Sequence, residues 1–189
     1  TGRAASVLLA YNPESGVRTV VDIFVGHRLG ATGVRNKLLY EFWEKYKDHR
    51  VAYSVIETNF APTLLGDETV RNGANWAGTR MVEHKTVGVG SKRGSKWDEE
   101  YGIGAMQALF YSGLVAFPSA TISDKQKLEP LMDDMLVFSW AKEQDALIAF
   151  WVANGECKSS SVFSIDLGKV VSRRNIPPII RDRMFARKK

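Results

Sequence analysis

Cysteine is nearly missing from this chain: Cys157 is the only one in 189 residues. An internal disulfide is therefore impossible, a cysteine-based metal site is excluded, and the usage fits a reducing compartment. Long apolar runs are missing too. The longest covers residues 146–153, far short of the roughly 20 residues of a membrane helix. No basic segment followed by an apolar core marks a secretion signal. Histidine is scarce, and His27, His49 and His84 have no metal-ligand spacing. The Gly-Ser-Lys-Arg stretch at 88–96 lacks the glycine and Lys-Ser/Thr spacing of a phosphate-binding P-loop. No internal repeat is present.

What is there has a globular composition: 44% hydrophobic, 25% charged, formal net charge +5. The length suits one domain, or one domain with a tail. The charge is uneven. Residues 173–189 hold seven Lys or Arg against Asp182, while the rest of the chain holds 19 basic and 20 acidic side chains. The basic excess thus belongs to the C-terminal segment, where it is compatible with nucleic acid without requiring it. Thr1-Gly2 stands where an initiator Met would, so the chain reads as a fragment or a processed product.

Residues 4–11 are apolar, residues 12–16 (Asn-Pro-Glu-Ser-Gly) are turn chemistry, and residues 17–25 are β-branched and apolar. They predict a β-hairpin with a five-residue loop. Gly30 to Gly33 then punctuate the chain, with Thr32 as a candidate N-cap. Val34, Leu38, Leu39, Phe42, Trp43 and Tyr46 form one stripe at helical spacing, which predicts a helix over 33–48. A strand over 51–57 follows. Pro62 and Gly66 break the next stretch, 68–76 reads as a short helix weakened by Gly73, and 80–86 reads as a strand. Residues 104–112 predict a helix ended by Gly113, and 114–118 a short edge strand. The helix over 127–137 carries Leu128, Leu131, Met132, Met135 and Leu136 as its stripe. The buried helix over 145–153 ends at Asn154-Gly155. A helix returning onto a strand makes the class α/β. The domain proper is assigned to 1–155, with 156–189 as a C-terminal extension ending in the basic tail.

Two carboxylates stand out by context. Glu57 ends an apolar strand, where a buried charge is costly unless something uses it. Strand tips of open α/β sheets are where ligands and metals sit. Asp145 opens the apolar helix, and no charge follows it until Glu156. Its ordinary explanation is capping or complementing the helix dipole. Together the two acids suit Mg²⁺, which takes oxygen ligands and keeps several waters. Two such ions can activate water and stabilise the leaving oxygen in phosphodiester cleavage. In the 88–96 loop, Lys92, Arg93 and Lys96 are candidates for phosphate contact, and Asp98 lies just beyond them. Trp76 and Trp97 suit packing better than base stacking. Asp22 reads as an edge or salt-bridge residue, Asp133 and Asp134 as solvent-facing, and Cys157 and the three histidines as structural or surface groups.

The order of these segments resembles a known family. Val55-Ile56-Glu57-Thr58-Asn59, the stretch from Lys96-Trp97-Asp98 through Tyr101-Gly102-Ile103, and residues 143–151 (Glu-Gln-Asp-Ala-Leu-Ile-Ala-Phe-Trp) carry the likeness. Over about residues 1–155 the chain resembles the C-terminal nuclease domain of the large terminase subunit of tailed bacteriophages. The resemblance implies an RNase H-like fold, a central mixed β-sheet flanked by helices. It implies an endonuclease that cuts concatemeric phage DNA during packaging by two-metal hydrolysis with Mg²⁺ or Mn²⁺. Glu57 matches the second metal-binding acid of the family and Asp145 the third. The first belongs to an Asp-Pro-Ala-like motif on the first strand, which this sequence lacks, so that strand reads as cut off before Thr1. The implied partners are double-stranded DNA, portal protein, the small terminase subunit and the terminase ATPase domain. The implied location is the cytoplasm of the infected bacterial host.

Two other readings remain open at this point. One is another RNase H-like nuclease of resolvase or integrase type. The other is a non-catalytic DNA- or protein-binding module that uses the basic tail.

Overall fold

The computed structural model describes residues 3–57, 61–85, 102–118, 120–136 and 144–159. It opens on the expected hairpin, β1 (Arg3–Tyr11) antiparallel to β2 (Arg18–His27). The turn is held by Asn12, whose Oδ1 accepts from the backbone N–H of Glu14 at 2.9 Å and of Ser15 at 3.3 Å. Gly16 takes φ +70° there, a conformation glycine adopts without a Cβ penalty. The start of β2 pairs in parallel with the short β5 (Val115–Ala116), giving a mixed sheet of order β1-β2-β5.

A second sheet is a parallel pair, β3 (Tyr53–Glu57) and β4 (Arg80–His84). Parallel strands need a long crossover, here α3 (Ala61–Gly66) and α4 (Glu68–Ala77). The α/β class holds. Among the described residues no strand joins β1 to β3, so the described strands form a three-stranded mixed sheet and a parallel pair.

The helical run before β3 is less regular than its apolar stripe suggests. It passes through α1 (Ala31–Val34), a π-helical turn (Arg35–Tyr40), α2 (Glu41–Tyr46) and a 3₁₀ turn (Lys47–His49). Its N-cap is Gly30 without a side-chain bond, and Thr32 lies inside α1 rather than capping it. The run is fastened by polar bonds from its inner face. Trp43 Nε1 donates to Ser54 Oγ at 2.8 Å. Tyr46 Oη donates to Asp22 Oδ2 at 2.7 Å, and Lys45 pairs with the same carboxylate. Asp22 is thus a buried salt-bridge partner, as expected of it.

The crossover shows why two apparent breakers are not breakers. Pro62 falls in the first turn of α3, where its missing N–H costs nothing. Gly73 lies within α4, where a Cβ would stand 3.0 Å from Trp43 and 3.1 Å from Tyr40. The glycine lets α4 approach the preceding helical run closely. Gly73→Val is therefore expected to destabilise the fold by about 1–3 kcal/mol, the usual range for overpacking, read as a shift in a denaturant-unfolding midpoint.

α5 (Gln107–Tyr111) follows a 3₁₀ turn at Gly104–Met106. The next helix, α6 (Ile122–Leu136), starts five residues earlier than its apolar stripe suggests. The reason is a reciprocal capping arrangement. Asp124 N donates to Thr121 Oγ1 at 3.1 Å, and Thr121 N donates to Asp124 Oδ2 at 3.0 Å. The buried face of α6 carries Asp124, Leu128, Leu131 and Asp134, while Met132 and Leu136 are exposed. The stripe is rotated from the one read in sequence, and only Asp133 of the acidic pair faces solvent.

The last described helix is α7 (Asp145–Ser159), and it does not stop at Asn154-Gly155. Asn154 is buried and accepts from Arg18 Nε at 2.9 Å. Gly155 packs on His84, where a Cβ would come within 3.4 Å of the ring. Both residues serve packing instead of termination, and the helix runs unbroken through the 155/156 boundary. Ala146, Leu147, Phe150 and Trp151 of α7 join Val20, Ile23, Leu128 and Leu131 in one core. A second core gathers Val34, Trp43, Ile56, Val70 and Ala74.

Candidate functional site

Glu57 and His84 are the last residues of β3 and β4 and pair in register. Parallel pairing thus sets a carboxylate and an imidazole side by side at the C-terminal edge of the sheet, where open α/β sheets bind ligands. His84 is an addition that the sequence reading missed. Its signal was present, since two strands joined by a helical crossover and ending Glu57 and His84 place their tips together.

α7 packs over this edge. The His84 ring stands edge-on to Trp151 with centroids 4.8 Å apart, and the carboxylates of Glu57 and Glu156 act on it. Burial is the larger influence and pushes the His84 pKa below its ordinary 6.5, against the pull of the two carboxylates. The neutral imidazole is therefore favoured by folding. A folded-state pKa below the unfolded one gives stability that is full above about 6.5 and is lost as pH falls through the folded value. His84→Gln is expected to flatten the acid side of the stability profile between pH 7 and 5, measured by urea unfolding at stepped pH.

Asp145 is the first residue of α7. As an acid in the first turn it complements the helix dipole, while the bonds to the first N–H groups come from elsewhere. Asp134 Oδ2, reaching from α6, accepts from the backbone N–H of Ala146 at 2.9 Å and of Leu147 at 3.2 Å. Its other oxygen, Oδ1, pairs with Arg3 at 2.9 Å. Asp134, read in sequence as a solvated residue, is the buried cap of α7. The reason is tertiary, because the partners are 12, 13 and 131 residues away.

Glu57 and Asp145 both border one cavity of about 450 Å³. His84 meets α7 at Trp151 and Gly155, six and ten residues beyond Asp145, hence about 9 and 15 Å along the axis at 1.5 Å per residue. Asp145 thus enters the cavity from the head of α7, and His84 meets the same helix farther along. Among the described residues no three His, Cys, Asp or Glu side chains form a metal-ligand group. Each acid offers a divalent ion one carboxylate, and Mg²⁺ commonly takes one or two together with several waters. They do not by themselves furnish a two-metal site.

The other sequence candidates divide plainly. Lys92, Arg93, Lys96, Trp97 and Asp98 lie outside the described residues, as does the basic segment 173–189. Trp76 does not pack inside: it is 61% exposed, with Lys47 Nζ 5.6 Å from its ring centre. Cys157 is buried, and burial pushes its thiol up to about 11, the setting of an unreactive structural cysteine. Among the described residues no helix is long and apolar enough to cross a membrane.

No model of a known family, no curated protein and no solved structure matches the chain.

Proposed function

We propose that this chain is the nuclease domain of a DNA-packaging terminase of the kind found in tailed bacteriophages, with an RNase H-like fold. It hydrolyses phosphodiester bonds of double-stranded DNA with Mg²⁺ or Mn²⁺. Glu57 and Asp145 serve as metal ligands. The bound ion would lower the pKa of a water and stabilise charge on the leaving oxygen. The chain's own part is to fix two carboxylates on one cavity. Glu57 is fixed by the β3–β4 register and Asp145 by α7, whose first turn is capped by Asp134. A second ion needs a ligand beyond the described residues, which agrees with an acid on a strand preceding Thr1. The basic segment and the 88–96 loop supply phosphate contacts. Portal protein, the small terminase subunit and the terminase ATPase domain are the proposed partners, in the cytoplasm of an infected bacterium.

One observation carries this reading. Glu57 and Asp145 border the same cavity, and the bonds that cap the first N–H groups of α7 come from Asp134. The test is nicking of supercoiled plasmid by the chain joined to its upstream coding sequence, with Mn²⁺ and with EDTA. Metal-dependent nicking that disappears in Glu57→Ala and in Asp145→Ala supports the reading. Equal nicking by both variants contradicts it.

A further inference from the structure

Of the described tryptophans, Trp43 and Trp151 are buried and Trp76 alone lies open to solvent. It stands on the last turn of α4 and borders a cleft of about 720 Å³ between α4 and the helical run before β3. The facing wall carries Tyr40 and Trp43, with ring centres 5.7 Å apart. Two features of the backbone shape the cleft. Gly73 brings α4 close under both of those rings. The π-helical turn, with a bond from Glu41 N–H to Asn36 O, inserts an extra residue into the opposite wall, and single π turns of this kind recur at functional sites. Among the residues of the cleft, the Tyr40 hydroxyl is the one buried side-chain polar atom without a hydrogen-bond partner, an exception that folded proteins make rarely. Asn36 and Thr69 add an amide and a hydroxyl to the rim.

The charges decide what fits. Glu41 pairs with Lys37, Glu44 with Lys47 at 2.7 Å, and Lys45 with Asp22. No carboxylate that borders the cleft is left over to hold a cation, and Lys47 Nζ already stands 5.6 Å from the Trp76 ring centre. A lysine or arginine of a partner would meet a cation in place. An apolar helix would desolvate Asn36, Glu41, Glu44 and Thr69 without bonding them, which is costly. A flat ring with polar edges suits both parts of the cleft, its face on the indole and its edge against amide and hydroxyl. Nucleobases have this form and stack on aromatic side chains with little regard to sequence. Lys47 has three donors and gives one to Glu44, which leaves others for a phosphate.

We propose that Trp76 is a stacking platform for an unpaired nucleobase, with Lys47 on the phosphate beside it. The ligand is a free nucleotide or a base of a single strand. Neither Glu57 nor Asp145 borders this cleft, so the site stands whether or not the chain cleaves DNA.

The experiment titrates the chain, in EDTA, with an eight-nucleotide oligothymidylate and with thymidine monophosphate, and follows the indole N–H resonances of its five tryptophans by NMR. The expected result is a shift of the Trp76 resonance on adding the oligonucleotide, and binding at least about tenfold weaker in Trp76→Ala, within the range of one lost base stack. Trp76→Phe keeps a ring and retains most of the affinity. The side chain is exposed, so Trp76→Ala is expected to melt within a few degrees of the parent, which separates lost stacking from a lost fold. A shift with the monophosphate as well assigns the site to nucleotides, and a shift with the oligonucleotide alone assigns it to strands; both support the proposal. Oligonucleotide binding that leaves the Trp76 resonance unmoved, or that is equally strong in Trp76→Ala, overturns it. A tetralysine peptide that moves this resonance where the oligonucleotide does not overturns it in favour of a protein partner. No metal enters the measurement, so it fails or succeeds separately from the nuclease reading.

Discussion

Asp134→Ala is expected to destabilise the fold by about 3–5 kcal/mol, the cost of removing one partner from a buried ion pair. That is a large part of the roughly 5–15 kcal/mol that holds a typical domain together. At about 2–4 °C per kcal/mol for a chain of this size, the melting temperature falls by on the order of 10 °C. Two losses combine. The N–H groups of Ala146 and Leu147 lose their acceptor at the head of a helix whose first turn is buried. The Arg3 guanidinium at the start of β1 loses its carboxylate partner on α6. Asp134→Asn keeps an amide oxygen for the cap and loses the ion pair, so its cost is intermediate. Arg3→Ala leaves the cap in place and costs less than Asp134→Ala. Asp133→Ala, on the exposed side of the same helix, stays within about 0.5 kcal/mol of the parent. Urea unfolding of the four variants checks the order.

The second large effect is on activity. If Glu57 and Asp145 hold the catalytic metal, removing either is expected to lower cleavage at least about a thousandfold. A bound ion supplies several kcal/mol of transition-state stabilisation, and each 1.36 kcal/mol is tenfold in rate. Both losses should leave the fold intact, which the unfolding midpoint verifies. Glu156→Gln is the discriminating control. Its carboxylate acts on His84, as that of Glu57 does, and borders the same cavity, but it matches none of the three metal-binding acids that the resemblance implies. Its loss is expected to cost less than tenfold. A thousandfold loss at Glu156 with none at Asp145 moves the site to the Glu57–His84 edge.

Local chemistry explains which parts of the fold can be read in the sequence. The hairpin is written into residues 12–16, where Asn12 and Gly16 close the turn by themselves. The β3 and β4 strands and α4 follow from short apolar runs and from Asp67, which caps α4 by accepting from Thr69 N at 2.8 Å. The capping pair Thr121 and Asp124 was equally local and would have placed the start of α6. What the sequence conceals is tertiary. Nothing near Asp134 says that its carboxylate turns inward to cap a helix beginning at Asp145. Nothing near Asn154-Gly155 says that Arg18 and His84 hold those residues in a helix. Glu57 and Asp145 were legible as isolated charges beside apolar runs, but their common cavity depends on β1, β3 and α7 packing together.

Manganese binding to the isolated chain, followed by electron paramagnetic resonance, tests the shared metal most directly because it needs neither DNA nor turnover. The account predicts a bound Mn²⁺ that magnesium displaces and that Glu57→Ala and Asp145→Ala each weaken at least tenfold. Binding of equal strength in the parent and both variants would contradict it.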